Sequence, residues 1–197
     1  ATSVAGNDLT SSGLVLLAVN GGSLAATEND LSAGGVLVLD LAGTTGSFAD
    51  NTVTIANATA GLVLDNATNM SITGNEVTAT GVPGPTSPAL VINATTGPLA
   101  ATVTGNTFTG FSRAIAIQDV LDAQVGIDAT ITDNVFDFTI DAAPKVAELS
   151  NVADVIDASN NQWGSNTVLA TVQGYVTRDA ETVTEGGNVT LAPIKLP

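Results

Sequence analysis

Residues 102–108 read Thr102-Val103-Thr104-Gly105-Asn106-Thr107-Phe108: threonine alternates with an apolar residue, the chain bends at Gly-Asn, and an apolar side chain follows. The alternation is typical of a half-buried β-strand, and Gly-Asn is typical of a bend. The same pattern recurs in Ser71–Val77 and in Thr130–Phe136. The chain therefore repeats a unit in which two short strands meet at an asparagine.

The repeat extends through most of the chain. An asparagine followed two residues later by a large apolar residue occurs seven times, and the position three before each asparagine is also apolar. The asparagines are Asn7, Asn29, Asn51, Asn75, Asn106, Asn134 and Asn161, and the apolar residues that follow them are Leu9, Leu31, Val53, Val77, Phe108, Phe136 and Trp163. Successive asparagines are 22, 22, 24, 31, 28 and 27 residues apart. Periods of this length are typical of solenoids.

A second element lies between the asparagines: three apolar residues, usually closed by a polar one. Its copies are Leu14–Leu17, Leu37–Asp40, Leu62–Asp65, Leu90–Asn93 and Ile115–Gln118, and the sixth repeat, between Ile140 and Asn151, has no clean copy. No segment of helical period fits between these elements. This excludes βαβ units and helical solenoids, which need ten or more residues of helical period in each repeat.

These features predict an all-β protein: a single-stranded parallel β-helix, or solenoid, of about seven turns over residues 1–165, with a C-terminal β tail over residues 166–197. The strands of each turn would pair with those above and below, about 4.8 Å away. The apolar columns would fill the interior. The asparagines would form a ladder at one corner, with amides bonded to one another and to the backbone. The tail, with a hairpin expected around Gly186-Gly187, would cap the last turn or donate a strand to a neighbour.

The Thr-Gly-Asn-x-Phe pattern and the segment Asn160-Asn161-Gln162-Trp163-Gly164 resemble the right-handed parallel β-helix repeat proteins of secreted bacterial and archaeal polypeptides, a pectate-lyase-like superfold. The resemblance covers about residues 1 to 165 and implies the fold. It implies no single activity, because the same scaffold serves lyases, hydrolases, adhesins, tailspikes and structural layers.

The composition excludes several classes of function. The chain has 19 acidic and 4 basic residues, a net charge of −15, and neither His nor Cys. Nucleic acids and anionic membrane surfaces are excluded as partners, because binding them needs clustered Lys and Arg. No apolar run approaches the ~18 residues of a membrane helix, so we expect no membrane insertion. Without His or Cys, the chain cannot form a Ser-His-Asp triad, a thiolate metal centre or a disulfide.

No catalytic residue is predicted, and the balance is against an enzyme. Arg113 and Lys145 are the basic residues within the turns, and neither lies in an acidic motif of the lyase type. Asp133 and Asp137 flank one turn, but they match no signature of a two-carboxylate hydrolase. The simpler interpretation of these acids is a solvated surface.

The sequence contains one candidate cation site. Asp40 and Asp65 occupy the same position of successive turns, so their carboxylates would lie about 5 Å apart. Either both are simply hydrated, or Ca²⁺ bridges them, since it accepts such oxygen ligands. No other cofactor is expected.

Five Asn-x-Ser/Thr sequons begin at Asn57, Asn66, Asn69, Asn93 and Asn188. They would carry glycans only if the protein is exported in an organism that glycosylates asparagine. A chain that begins at Ala1 fits either a processed, exported protein or an artificial boundary.

The first turn suggests how the protein functions. Val4 and Asn7 already belong to it, so we expect no amphipathic helix over that end, and an uncovered turn is a template for pairing with another chain. Either a missing segment or another subunit would cover it. With the low charge, this favours a non-enzymatic structural subunit of a self-assembling extracellular or cell-surface layer, sheath or fibre, acting as a homo-oligomer or polymer through its ends and tail. The alternative is a carbohydrate-binding, polysaccharide lyase or adhesin module with a polysaccharide partner.

Overall fold

A computed structural model describes residues 2–12, 15–16, 22–34, 37–40, 45–56, 58–81, 87–94, 99–119, 127–138, 145–150, 155–164, 176–178, 188–190, 192–193 and 195. These residues form β-strands in three sheets, and none of them is helical.

The first sheet, sheet A, has eight strands: β1 (Thr2–Ala5), β4 (Ser23–Thr27), β7 (Thr45–Ala49), β10 (Asn69–Thr73), β13 (Leu99–Thr104), β16 (Ile127–Thr132), β19 (Val155–Asp157) and β22 (Asn188–Thr190). Sheet B has seven: β2 (Asp8–Ser11), β5 (Asp30–Ala33), β8 (Thr52–Ala56), β11 (Glu76–Thr80), β14 (Thr107–Phe111), β17 (Val135–Phe138) and β20 (Gln162–Trp163). Sheet C also has seven: β3 (Val15–Leu16), β6 (Leu37–Asp40), β9 (Leu62–Asp65), β12 (Pro88–Ala94), β15 (Arg113–Asp119), β18 (Lys145–Ser150) and β21 (Val176–Arg178).

Every strand pairs in parallel with the strand one repeat away in the sequence. The chain therefore passes from sheet A to B to C and returns to A one layer further along. This confirms the predicted all-β, parallel β-helix fold. Each such passage is one layer of the stack.

The interior is filled by columns of apolar side chains in register. Leu31, Val53, Val77, Phe108, Phe136 and Trp163 are each at most 1% exposed. The last three form a continuous ring stack: the Phe108 and Phe136 centroids lie 5.0 Å apart, those of Phe136 and Trp163 lie 4.9 Å apart, and the ring planes are nearly parallel. Trp163 is thus a core residue, as its position in the column predicts.

Two details of sheet C differ from the sequence interpretation. The predicted first copy began at Leu14, but Val15 is the partner of Leu37, so that assignment is wrong by one residue. The physical reason is the 22-residue step of the first repeat, which also separates Asn7 from Asn29. The sixth copy, which the sequence did not reveal, is β18, whose Ala147 pairs with Ile115.

The tail contributes strands to the same stacks. β21 pairs in parallel with β18, and β22 pairs in parallel with β19. Residues 179–187, which include the expected bend of the hairpin at Gly186-Gly187, lie outside the described residues. The division of the chain at residue 165 and the role of the tail stay predictions.

Candidate functional site

The candidate site is the asparagine corner, which we define as the seven ladder asparagines with the residues directly before and after each of them. It joins sheet A to sheet B and runs the full height of the stack. Its terminal members lie in the first layer at one end and contact Thr190, Pro193 and Lys195 at the other.

Asn75 illustrates the bonding of an internal rung. Its backbone N–H and its Nδ2 both donate to Oδ1 of Asn106, at 2.9 and 2.8 Å. Its Nδ2 also donates to the backbone carbonyls of Phe48, in the preceding layer, and Thr73, at 2.9 and 3.1 Å. The side chain therefore ties three layers together while only 1% exposed.

The same two bonds link every successive pair of rungs. The distance from the backbone nitrogen to the next Oδ1 is 2.9 to 3.1 Å, and the distance from Nδ2 to the same Oδ1 is 2.8 to 3.0 Å. In these amide-to-amide bonds the donors always belong to the rung nearer the N-terminus, and the acceptor Oδ1 belongs to the rung nearer the C-terminus. The ladder therefore has a direction, and its two ends are chemically different.

The backbone before each asparagine is left-handed. The seven residues at this position have φ between 55° and 67°: Gly6, Glu28, Asp50, Gly74, Gly105, Asp133 and Asn160. Only three of them are glycine, the residue that adopts this conformation without a steric penalty. Of the other four, Asp50, Asp133 and Asn160 are residue types that adopt it readily, and Glu28 is the exception.

The first layer is exposed where the other layers are not. Leu9 is 38% exposed, although every other member of its column is buried. Asn7 is exposed too, whereas the six other rungs are at most 2% exposed. β1, β2 and β3 are edge strands of their sheets, so within the described residues no strand pairs with their outer sides.

The other end of the corner is covered. The backbone N–H of Lys195 donates to the carbonyl of Asn161 at 2.9 Å, and the N–H of Ala158 donates to the carbonyl of Thr190 at 2.8 Å. A further bond joins the N–H of Asn160 to the carbonyl of Pro193. Asn161 is 0% exposed as a result. The sequence did not predict this contact, because the residue before Lys195 is an isoleucine and not a ladder asparagine.

The structure brings the two predicted calcium ligands to neighbouring strands. Asp40 and Asp65 are register partners of β6 and β9. Oδ1 of Asp65 accepts a bond from Nδ2 of Asn66 at 2.7 Å, and the side chain of Asp40 lies outside the described part of the structure. Among the described side chains, no group of three acidic residues could hold a metal ion. Calcium binding stays a prediction.

The residues weighed for catalysis are separated. Arg113 and Lys145 are register partners in sheet C. Asp133 lies at the asparagine corner, where its Oδ1 accepts a bond from Nδ2 of Asn160, and Asp137 is an exposed residue of sheet B. The structure thus places the two bases on one sheet and these two acids elsewhere.

The sequons differ in exposure. Asn69 is exposed, whereas Asn66 is 6% exposed and its Nδ2, the atom that would carry a glycan, is bonded to Asp65. Asn93 is half-buried, and its buried Oδ1 has no hydrogen-bond partner among the described residues. Asn57 and the side chain of Asn188 lie outside the described residues.

An open groove of about 330 Å³ lies beside the first layers on the outer face of sheet B. Its lining is rich in hydroxyl groups: Thr10, Ser11, Ser12, Ser32 and Thr54, with Ala33, Gly34 and Ala56. The described residues contain no helix that is long and apolar enough to span a membrane.

No protein-family model matches this chain, and no curated protein or solved structure is significantly similar to it.

Proposed function

We propose that this protein is a non-enzymatic structural subunit of a self-assembling extracellular layer, sheath or fibre, and that the exposed end of its β-helix makes subunit contacts. In this role the chain is a homo-oligomer or polymer at the cell surface. Its regular sheets supply a rigid body, and its ends supply the interfaces.

The main support for the proposal is the difference in side-chain exposure along the column that begins at Leu9. Leu9 is 38% exposed, while the equivalent side chains of the layers behind it are buried to 1% or less. A further layer over the first would bury Leu9 as Leu31 is buried. Burial of a leucine side chain favours association by about 1.5–3 kcal/mol when it is complete, and less for a side chain that is already partly covered.

The edge strands support the same interpretation. β1, β2 and β3 each have one unpaired side within the described residues. An unprotected sheet edge is a template for pairing with another chain, and solenoids need polar caps to stay soluble as monomers. Here the exposed layer keeps the apolar and hydrogen-bonding pattern of the interior.

Sedimentation velocity over a range of protein concentrations tests the proposal. We expect species larger than the monomer whose fraction grows with concentration. Leu9→Asn, which makes the exposed column position polar, should lower that fraction. The matched control Thr102→Asn alters an exposed residue on the lateral face of sheet A and should leave it unchanged. A strictly monomeric protein at high concentration would contradict the proposal.

A second candidate is a carbohydrate-binding or lyase module, and the hydroxyl-lined groove beside the first layers favours it. Hydroxyl side chains form the hydrogen bonds that sugars need, although the groove lacks an aromatic platform among its lining residues. Binding to immobilised polysaccharides that Thr54→Val weakens would support this function. Release of unsaturated product from uronate polymers would establish the lyase.

A further inference from the structure

We propose that copies of this chain stack head to tail: Thr190, Pro193 and Lys195 of one copy lie at its contact with the first layer of the next, so that the column of backbone bonds beside the asparagine ladder continues across the junction. This inference rests on the proposed function and specifies its interface. The partner is a second copy of the chain, in the same orientation along the stack.

A repeated backbone bond defines where the two ends would meet. The residue after each ladder asparagine donates its N–H to the carbonyl of the asparagine one layer before. The donors are Asp30, Thr52, Glu76, Thr107, Val135 and Gln162, at 2.8 to 2.9 Å. Lys195 makes the same bond to Asn161, at 2.9 Å. Lys195 is therefore the last described member of a column whose first member is Asp8, the partner of Asp30.

Head-to-tail stacking would place opposite charges in successive positions of this column. Asp8 and Lys195 are both exposed, and they terminate the column at its two ends. Across a junction with the ordinary strand spacing they would lie about 4.8 Å apart. Within a single copy Asp8 is next to Asp30, and like charges opposite each other in a sheet are unfavourable. A lysine on the other side of Asp8 would offset that repulsion.

The direction of the ladder distinguishes this arrangement from symmetric ones. Oδ1 of every later rung accepts two bonds from the rung before it, and Asn7 is the described rung with no rung before it. Joining two first layers would bring two rungs of the same kind together and Asp8 towards Asp8. Joining two C-terminal layers would bring Lys195 towards Lys195. Only the head-to-tail arrangement is complementary in charge, and it also keeps all strands parallel.

Zero-length carbodiimide coupling of the wild-type protein, followed by mass spectrometry, tests the contact. An amide between Asp8 and Lys195 must be intermolecular, because seven strand spacings of about 4.8 Å separate the two ends of one copy. We expect this cross-link in the oligomeric bands. Lys195→Arg is the matched control: it keeps the charge and the assembly but abolishes the cross-link. Lys195→Glu should weaken association by roughly fivefold or more, and salt should weaken it in the wild type.

A second measurement uses the absence of native cysteine. When Asp8→Cys and Lys195→Cys are combined in one chain, mild oxidation should give a ladder of disulfide-linked multimers, since neighbouring strands lie within disulfide range. Oligomers in sedimentation that form neither link, or that link Asp8→Cys chains only to each other, would overturn head-to-tail stacking and leave the proposed function standing. A protein with no oligomers would overturn both.

Discussion

Removing one internal rung of the asparagine ladder should destabilise the protein far more than removing the terminal rung. Asn106→Ala deletes the Oδ1 that accepts bonds from the backbone N–H and Nδ2 of Asn75, at 2.9 and 2.8 Å. It also deletes the bonds from its own Nδ2 to the carbonyls of Ile72 and Thr104 and to Oδ1 of Asn134.

The magnitude follows from what is left unpaired. The buried N–H of Asn75 loses its acceptor, and an orphaned buried donor costs about 1–3 kcal/mol. The other partners keep at least part of their bonding, so each lost bond adds about 0.5–1.5 kcal/mol or less. We expect a loss of about 3–4 kcal/mol, a large share of the ~5–15 kcal/mol by which domains are stable. Asn7→Ala, at the exposed end, orphans no donor of another rung and should cost less than about 1 kcal/mol.

Urea unfolding measures both variants. Trp163 is the only tryptophan and is fully buried, so its fluorescence reports on the core, and far-ultraviolet circular dichroism reports on the sheets. With a slope of about 2 kcal/mol/M, the Asn106→Ala midpoint should fall by roughly 1.5–2 M and the Asn7→Ala midpoint by less than about 0.5 M. Equal shifts in the two variants would show that the internal ladder bonds do not hold the corner together.

Three further substitutions have defined outcomes. Phe136→Ala should cost about 3–5 kcal/mol in the same urea assay, because its ring stacks on an aromatic ring at each side, at 5.0 and 4.9 Å; a loss under ~1 kcal/mol would contradict this. Gly46→Ala should lower the thermal midpoint much more than Gly6→Ala, since a Cβ at Gly46 would lie 1.9 Å from the carbonyl oxygen of Leu24, while one at Gly6 meets nothing within 4 Å; equal midpoints would oppose it. Glu28→Gly should raise the free energy of unfolding by up to about 1 kcal/mol, because φ is 56° there; a decrease would show that the glutamate side chain matters more than the backbone strain.

The sequence predicts the fold because the ladder residues occur at constant offsets. Each layer needs an apolar residue in the inward column and an amide at the corner. The Asn-x-apolar pattern is therefore present in every repeat, although the loops between the strands differ in length. The copy in β18 lacks this clarity: it reads Ala147-Glu148-Leu149, and a glutamate in the middle of the triplet hides it. β18 pairs in parallel with β15 and β21, and the local sequence of β18 does not indicate that these partners are present.

The C-terminal end could not be predicted for a related reason. Lys195 lies in the column formed by the residues that follow the ladder asparagines, because its backbone N–H donates to the carbonyl of Asn161. A backbone bond of this kind does not depend on the side chain, so the sequence gives no sign of it. Likewise, the left-handed backbone at Glu28 and Asp50 could not be predicted, because neither position is a glycine. The exposure of Leu9 could not be predicted either, because the residues around it match those around its buried equivalents.

Electron microscopy of the purified protein at increasing concentration tests whether copies of the chain stack end to end. We expect filaments one subunit wide, or layers built from them, whose strands stack along the filament axis with a spacing of about 4.8 Å in diffraction. Dispersed single particles at every concentration would contradict it.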